Sequence, residues 1–181
     1  MAQDTETNPC NTDGIAHQHA LVLRRVIDAT PEAIWKAWMT PELLQQWFAP
    51  RPWTISDVQV DPRSGGVFNF VMHGPDGERF PNSGIFLEAI PNRRWTTTDA
   101  FTPAWEPAGQ PFMVATVELT PRDDGKTVYV ATARHWNAET MKQHEAMGFH
   151  EGWGTCADQL AELLKTQTLP GRDRTRREPA R

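Results

Sequence analysis

The stretch AETMKQHEAMGFHEGWGTCADQLAELLK, residues 138–165, decides the fold. Within it Phe149, Trp153, Cys156, Leu160 and Leu163 step by four and three, which lays one apolar stripe along a single long helix. An amphipathic helix cannot bury such a stripe alone; it needs the apolar face of a sheet. The chain before it supplies one. From Trp53 to Trp136 apolar residues recur at strand spacing, as in Phe68, Phe70 and Met72 after Gly65-Gly66. Gly74-Pro75-Asp76-Gly77 predicts a hairpin between strands at 66–73 and 79–90, and Asp123-Asp124-Gly125 another between 112–120 and 127–135. Strands are also expected near Ile55–Val60 and over 94–101, with Pro103, Pro107, Gly109 and Pro111 making a loop around Trp105.

Upstream, Leu21, Leu23 and Val26 mark a strand over 19–28. Thr30-Pro31-Glu32 and Thr40-Pro41-Glu42 then repeat one helix-start signal: an N-cap hydroxyl, proline at the first helical position and an acid in the first turn. They predict short helices at 31–39 and 41–48. The order is strand, two helices, six strands, long helix. This is an α+β arrangement, a curved seven-stranded antiparallel sheet wrapped around a C-terminal helix.

The 181 residues suit one domain, expected over 19–165. The flanks, an acidic tail at 1–18 and an Arg-rich tail at 166–181, lack apolar periodicity and are expected to be disordered. The net charge of −5 argues against a nucleic-acid surface, and no apolar run is long enough to span a membrane. The first residues have no signal-peptide pattern, and Cys10 and Cys156 make no disulfide framework, so a cytoplasmic location is expected. Eight Trp and eight Phe against one Tyr call for a bulky core or a lined cavity.

The chain carries no catalytic constellation, so no catalytic residue, metal site or cofactor is assigned. His144 and His150 are six apart, about 120° of separation on a straight helix, and cannot share a metal. On that helix His144 lies opposite the stripe and should be solvated, whereas His150 sits at its edge and could enter a cavity. Cys156 falls on the stripe, where a free thiol serves as a small hydrophobe. Gly148 and Gly152 permit either close packing or a kink. Glu118 should face solvent; the inward face of 79–90 stays open, because both parities are apolar.

The residues resemble a known family. Arg25-x5-Pro31-x3-Trp35-x2-Trp38, Pro41-Glu42-x4-Trp47-Phe48-x-Pro50, Gly65-Gly66-x-Phe68, Gly74-Pro75-Asp76-Gly77-Glu78, Gly84-x3-Glu88-x2-Pro91 and Gly148-x3-Gly152-Trp153-x6-Leu160 run in order through residues 20–165. Together they are similar to the START-like (SRPBCC, birch-pollen-allergen-like) superfamily. The branch is the bacterial one resembling the C-terminal domain of the activator of heat-shock-protein-90 ATPase. The longer loop with Trp105 departs from that pattern.

The resemblance implies a helix-grip fold enclosing a pocket for a small apolar ligand. Its candidate lining is Phe70, Met72, Trp95, Phe101, Met113, Phe149, His150 and Trp153, while Trp35, Trp38, Trp47 and Phe48 pack the helical pair. The expected function is non-enzymatic binding of a small apolar molecule, by a monomer or homodimer. Two alternatives stand beside it. One is a co-chaperone-like module of the stress response with a chaperone partner; the other is a cyclase- or hydrolase-type enzyme using His150.

Overall fold

A computed structural model describes residues 19–168. The expected tail at 1–18, and that at 166–181 apart from its first three residues, lie outside the described residues. The chain opens with β1 (Ala20–Ile27), whose Leu21, Leu23 and Ile27 point inward. The Thr30 hydroxyl accepts a 3.4 Å hydrogen bond from the Ala33 amide and starts α1 (Pro31–Met39). Thr40 offers no such side-chain cap, and α2 (Pro41–Leu44) stops after four residues instead of running to 48. The irregular turn that follows drops Trp47 into the core, 2% exposed.

The strands follow as β2 (Thr54–Val60), β3 (Phe68–His73), β4 (Arg79–Asn82), β5 (Ile85–Ile90), β6 (Arg94–Thr98), β7 (Phe101–Thr102), β8 (Glu106–Pro107), β9 (Val114–Pro121) and β10 (Thr127–Arg134). All pairings are antiparallel. One sheet runs β1-β10-β9-β6-β5, a second runs β2-β3-β4, and β7-β8 form a small ribbon in the Trp105 loop. The seven expected strands are present, with 79–90 divided at Ser83-Gly84. The division has a packing cause: a Cβ on Gly84 would stand 2.4 Å from the Thr98 carbonyl oxygen. Main-chain hydrogen bonds join the two sheets there: Gly65 N to Phe86 O and Phe86 N to Gly66 O at 2.8 Å, and Phe68 N to Gly84 O at 3.0 Å.

A bulge settles the parity that alternation left open. Register shifts between Phe86 and Glu88, so Phe86 and Ala89 share the inner face with their partners Thr97 and Trp95. Glu88 points outward and forms a two-pronged ion pair with Arg94, both contacts 2.8 Å.

The long C-terminal helix is two helices. α3 (Ala138–Ala146) ends at Gly148, whose φ of 91° is the left-handed conformation that closes a helix, and α4 (Phe149–Thr168) restarts beyond it. Amides of Met147 and Gly148 bond back to the carbonyls of Gln143 and Glu145. Phe149, Ala157, Leu160 and Leu164 of α4 are buried in the core. The break resets the helical phase, which reverses both histidine expectations. His144 is buried at 8% exposure, and the His150 side chain is 59% exposed near Glu145. Among the described residues no helix is long and apolar enough to cross a membrane.

Candidate ligand-binding site

The pairing register places side chains on the concave face of the five-stranded sheet in rows. One row is bulky: Trp95, Val117, Ala131 and Leu23. The next runs Phe86, Thr97, Ala115, Ala133 and Leu21, small across its middle. The same parity carries on past the strand ends to Met113, His135 and His19, where the His135 amide bonds to the His19 carbonyl at 2.9 Å. Thr97 and Ala115 face inward and are only half-buried. The small row is therefore covered at Phe86, Ala133 and Leu21 and left partly open at Thr97 and Ala115, between two bulkier rows.

The candidate lining residues separate into three groups around this floor. Phe70 and Trp95 belong to one aromatic box. Phe70 stands edge to face with Phe48 at 5.1 Å and Phe68 at 5.7 Å, and Trp95 meets Trp38 at 5.0 Å and Trp35 at 5.5 Å. Met72, half-buried on β3 between Ile55 and Phe80, extends the same side. Gln159 of α4 locks the box from behind. Its Nε2 donates to the carbonyls of Trp47 and Ala49, both at 2.8 Å, while its Oε1 accepts from the Arg51 amide at 3.1 Å. Cys156 Sγ donates to the Phe48 carbonyl at 3.1 Å, and burial pushes that thiol up to about 12, so it stays protonated.

Phe149 and Trp153 form a second group with residues that sequence reasoning passed over. The ring of His144 is surrounded by His135, Phe112, Phe149 and Trp153, at centroid distances of 5.0, 5.2, 5.1 and 5.8 Å. His135 Nδ1 lies 3.0 Å from the Phe112 carbonyl oxygen, and His144 Nδ1 lies 3.0 Å from His135 Nε2. Burial, with His135 beside it, lowers the His144 imidazole to about 4, which keeps it neutral near pH 7. His150, expected here, is outside.

Phe101 belongs to neither group; it packs with Trp105 at 6.0 Å in the departing loop. Ala104 and Trp105 both sit at positive φ, 68° and 62°, an uncommon pairing for residues with a Cβ. Asp99 ties the loop's return to the sheet, its carboxylate accepting from the amides of Phe112 and Met113 at 2.8 and 3.1 Å. Two shallow hollows of about 590 and 580 Å³ open elsewhere, one lined by Gln59, Arg63 and Asn69, the other by Arg93, Arg122 and Lys126. None of the eight candidate residues lines either hollow.

Two signals in the sequence point to the missed residues. Alternation through 127–135 puts His135 in phase with Tyr129 and Ala131, and Gly148 after Met147 is a helix-stop signal. Taken together they would have released His144 from the straight-helix wheel.

Sheet, gripping helices and inward row of small residues define a START-like helix-grip protein. The sequence profile of the family described as "Activator of Hsp90 ATPase homolog 1-like protein" matches residues 28–165, and the chain belongs to that family. A crystallographically solved protein of Nitrosomonas europaea is similar at 46% identity and TM-score 0.79, over 82% of this chain and 95% of that one. Proteins of Mycobacterium smegmatis and Rhodobacter sphaeroides, each 24% identical, share the fold at TM-scores of 0.69 and 0.71. The first covers 81% of this chain and 90% of its own; the second covers 82% and 93%. None of the curated proteins compared is a match.

Proposed function

We propose that the protein binds a small apolar molecule over the Thr97–Ala115–Ala133 floor, beneath the N-terminal half of α4. The observation that carries this reading is the half-buried state of Thr97 and Ala115, inward-facing residues flanked by rows of large side chains. A core built only for stability fills such a row with larger groups, because an unfilled gap forfeits contacts. The rings of Phe149 and Trp153 supply an apolar wall that suits a flat or aliphatic body.

A thermal-shift screen with lipids, polyketides and aromatic acids, at concentrations near one hundred times Kd, tests it. A binder raises stability by about 2.7 kcal/mol, several degrees in midpoint. The variant Ala115→Phe should remain folded and lose the response. Silence from every compound, with Ala115→Phe unfolding for want of room, would overturn the reading. Family membership also supports a co-chaperone-like module. Stimulation of a purified heat-shock-protein-90 ATPase by this chain would be its positive result.

A further inference from the structure

We infer that His135 and His144 form a hydrogen-bond relay whose free end, Nε2 of His144, accepts a proton donor from the bound molecule. The ligand is then an apolar body bearing an un-ionised hydroxyl, such as a phenol. The inference rests on the apolar-ligand reading above and names the one polar group the ligand must carry.

The direction of the relay follows from its anchor. The Phe112 carbonyl can only accept, so His135 Nδ1, 3.0 Å away, carries the hydrogen. A neutral His135 then has a bare Nε2, which can only accept, and the ring facing it at 3.0 Å must donate through His144 Nδ1–H. That leaves a lone pair on His144 Nε2. Both backbone ends of the relay are held: Phe112 N by the Asp99 carboxylate at 2.8 Å, and His135 N by the His19 carbonyl at 2.9 Å. The acceptor is thus fixed in one tautomer before any ligand arrives.

The free nitrogen is placed for use. It has no hydrogen-bond partner among the described residues, yet it is not sealed. The buried side-chain nitrogens without a partner there are His19 Nδ1 and Trp38 Nε1. The rings of Phe112, Phe149 and Trp153 stand around the imidazole, and His135 follows Ala133 in the inward register at the end of the small-residue floor. An acceptor with apolar neighbours favours a neutral donor. A carboxylate would set its lone pairs against that of His144, and a free ammonium would lose its hydration with no counter-charge beside it.

Binding of 1-naphthol, 1-methoxynaphthalene and naphthalene to the full chain at pH 7.5, by calorimetry, separates the possibilities. Naphthol should bind about tenfold tighter than its methyl ether, one net hydrogen bond's worth. His144→Phe should bind all three alike, and ¹⁵N NMR of the unmutated protein should show an unprotonated His144 Nε2 whose resonance moves when naphthol binds. The NMR arm needs no variant, so a misfolded His144→Phe does not blunt the test. Equal binding of naphthol and its ether, or a proton on His144 Nε2 without ligand, overturns the relay and leaves the apolar-ligand reading standing. Failure of all three compounds to bind overturns the phenol-type ligand inferred here, and the apolar-ligand reading is then decided by the wider screen with Ala115→Phe.

Discussion

The two aromatic clusters use the same ring types to opposite ends. Around Trp38, Trp47 and Trp95 the rings close on one another at 5.0 Å, Trp47 Nε1 donates to the Ala37 carbonyl at 3.3 Å, and Gln159 bonds across the 47–51 turn. Around Trp153 and Phe149 the rings instead surround a histidine with an unspent nitrogen, beside a floor of small side chains. The first cluster joins α1 and β6 to the irregular turn after α2; the second is assembled where α3 ends and α4 begins. Closure of rings on rings therefore goes with stability, and rings beside small side chains with accessible chemistry.

Replacing one ring in each cluster is the strongest way to break that contrast. Trp95→Ala, at 1% exposure, should cost about 3–5 kcal/mol in urea unfolding. Trp153→Ala, only half-buried, should cost clearly less. Equal losses would erase the distinction. Gln159→Leu leaves two carbonyls and an amide without partners, so a loss of about 2–3 kcal/mol by the same measurement is expected.

The pH dependence sharpens the contrast from the other cluster. In the folded chain His144 titrates at about 4 against 6.5 for a free imidazole, so between those values the unfolded chain holds the extra proton. Stability rises with pH across that window and is progressively lost as pH falls through it, by about 3 kcal/mol in all. His144→Gln should flatten that part of a midpoint-against-pH curve relative to the unmutated protein. The smallest effect concerns the helix break. Gly148→Ala, forced into φ of 91°, should lose about 1 kcal/mol in thermal unfolding, and a midpoint unchanged by it would show that the break is not held by this residue.

Much of the architecture was legible because it rests on local chemistry. Thr30-Pro31 opens its helix as expected, and Gly77 and Gly125 take the positive φ values, 91° and 78°, that their hairpin turns require. The stripe from Phe149 to Leu160 correctly demanded a sheet to lie on. What failed were inferences that carry phase over a distance. One missed stop at Gly148 moved His144 from solvent to interior and His150 the other way; the parity of 79–90, which alternation left open, is set by a bulge beside Leu87 that puts Phe86 and Ala89 on one face. The small inner row was hidden for a different reason. Ala115 and Ala133 are unremarkable in sequence, and only the pairing of β6, β9 and β10 lines them up.

The seam between the two sheets has a consequence for how such proteins diversify. A Cβ at Gly66 would fall 2.0 Å from the Asp61 carbonyl oxygen, and the junction at Gly65, Gly66 and Gly84 is made by main-chain atoms. Such a joint is blind to the side chains on either bank, while a Cβ at Gly66 or Gly84 would run into main-chain oxygen. The strand trio from Thr54 to Asn82 is in that sense a cassette. Its lining residues can be exchanged, and what the grip holds retuned, without touching the joint.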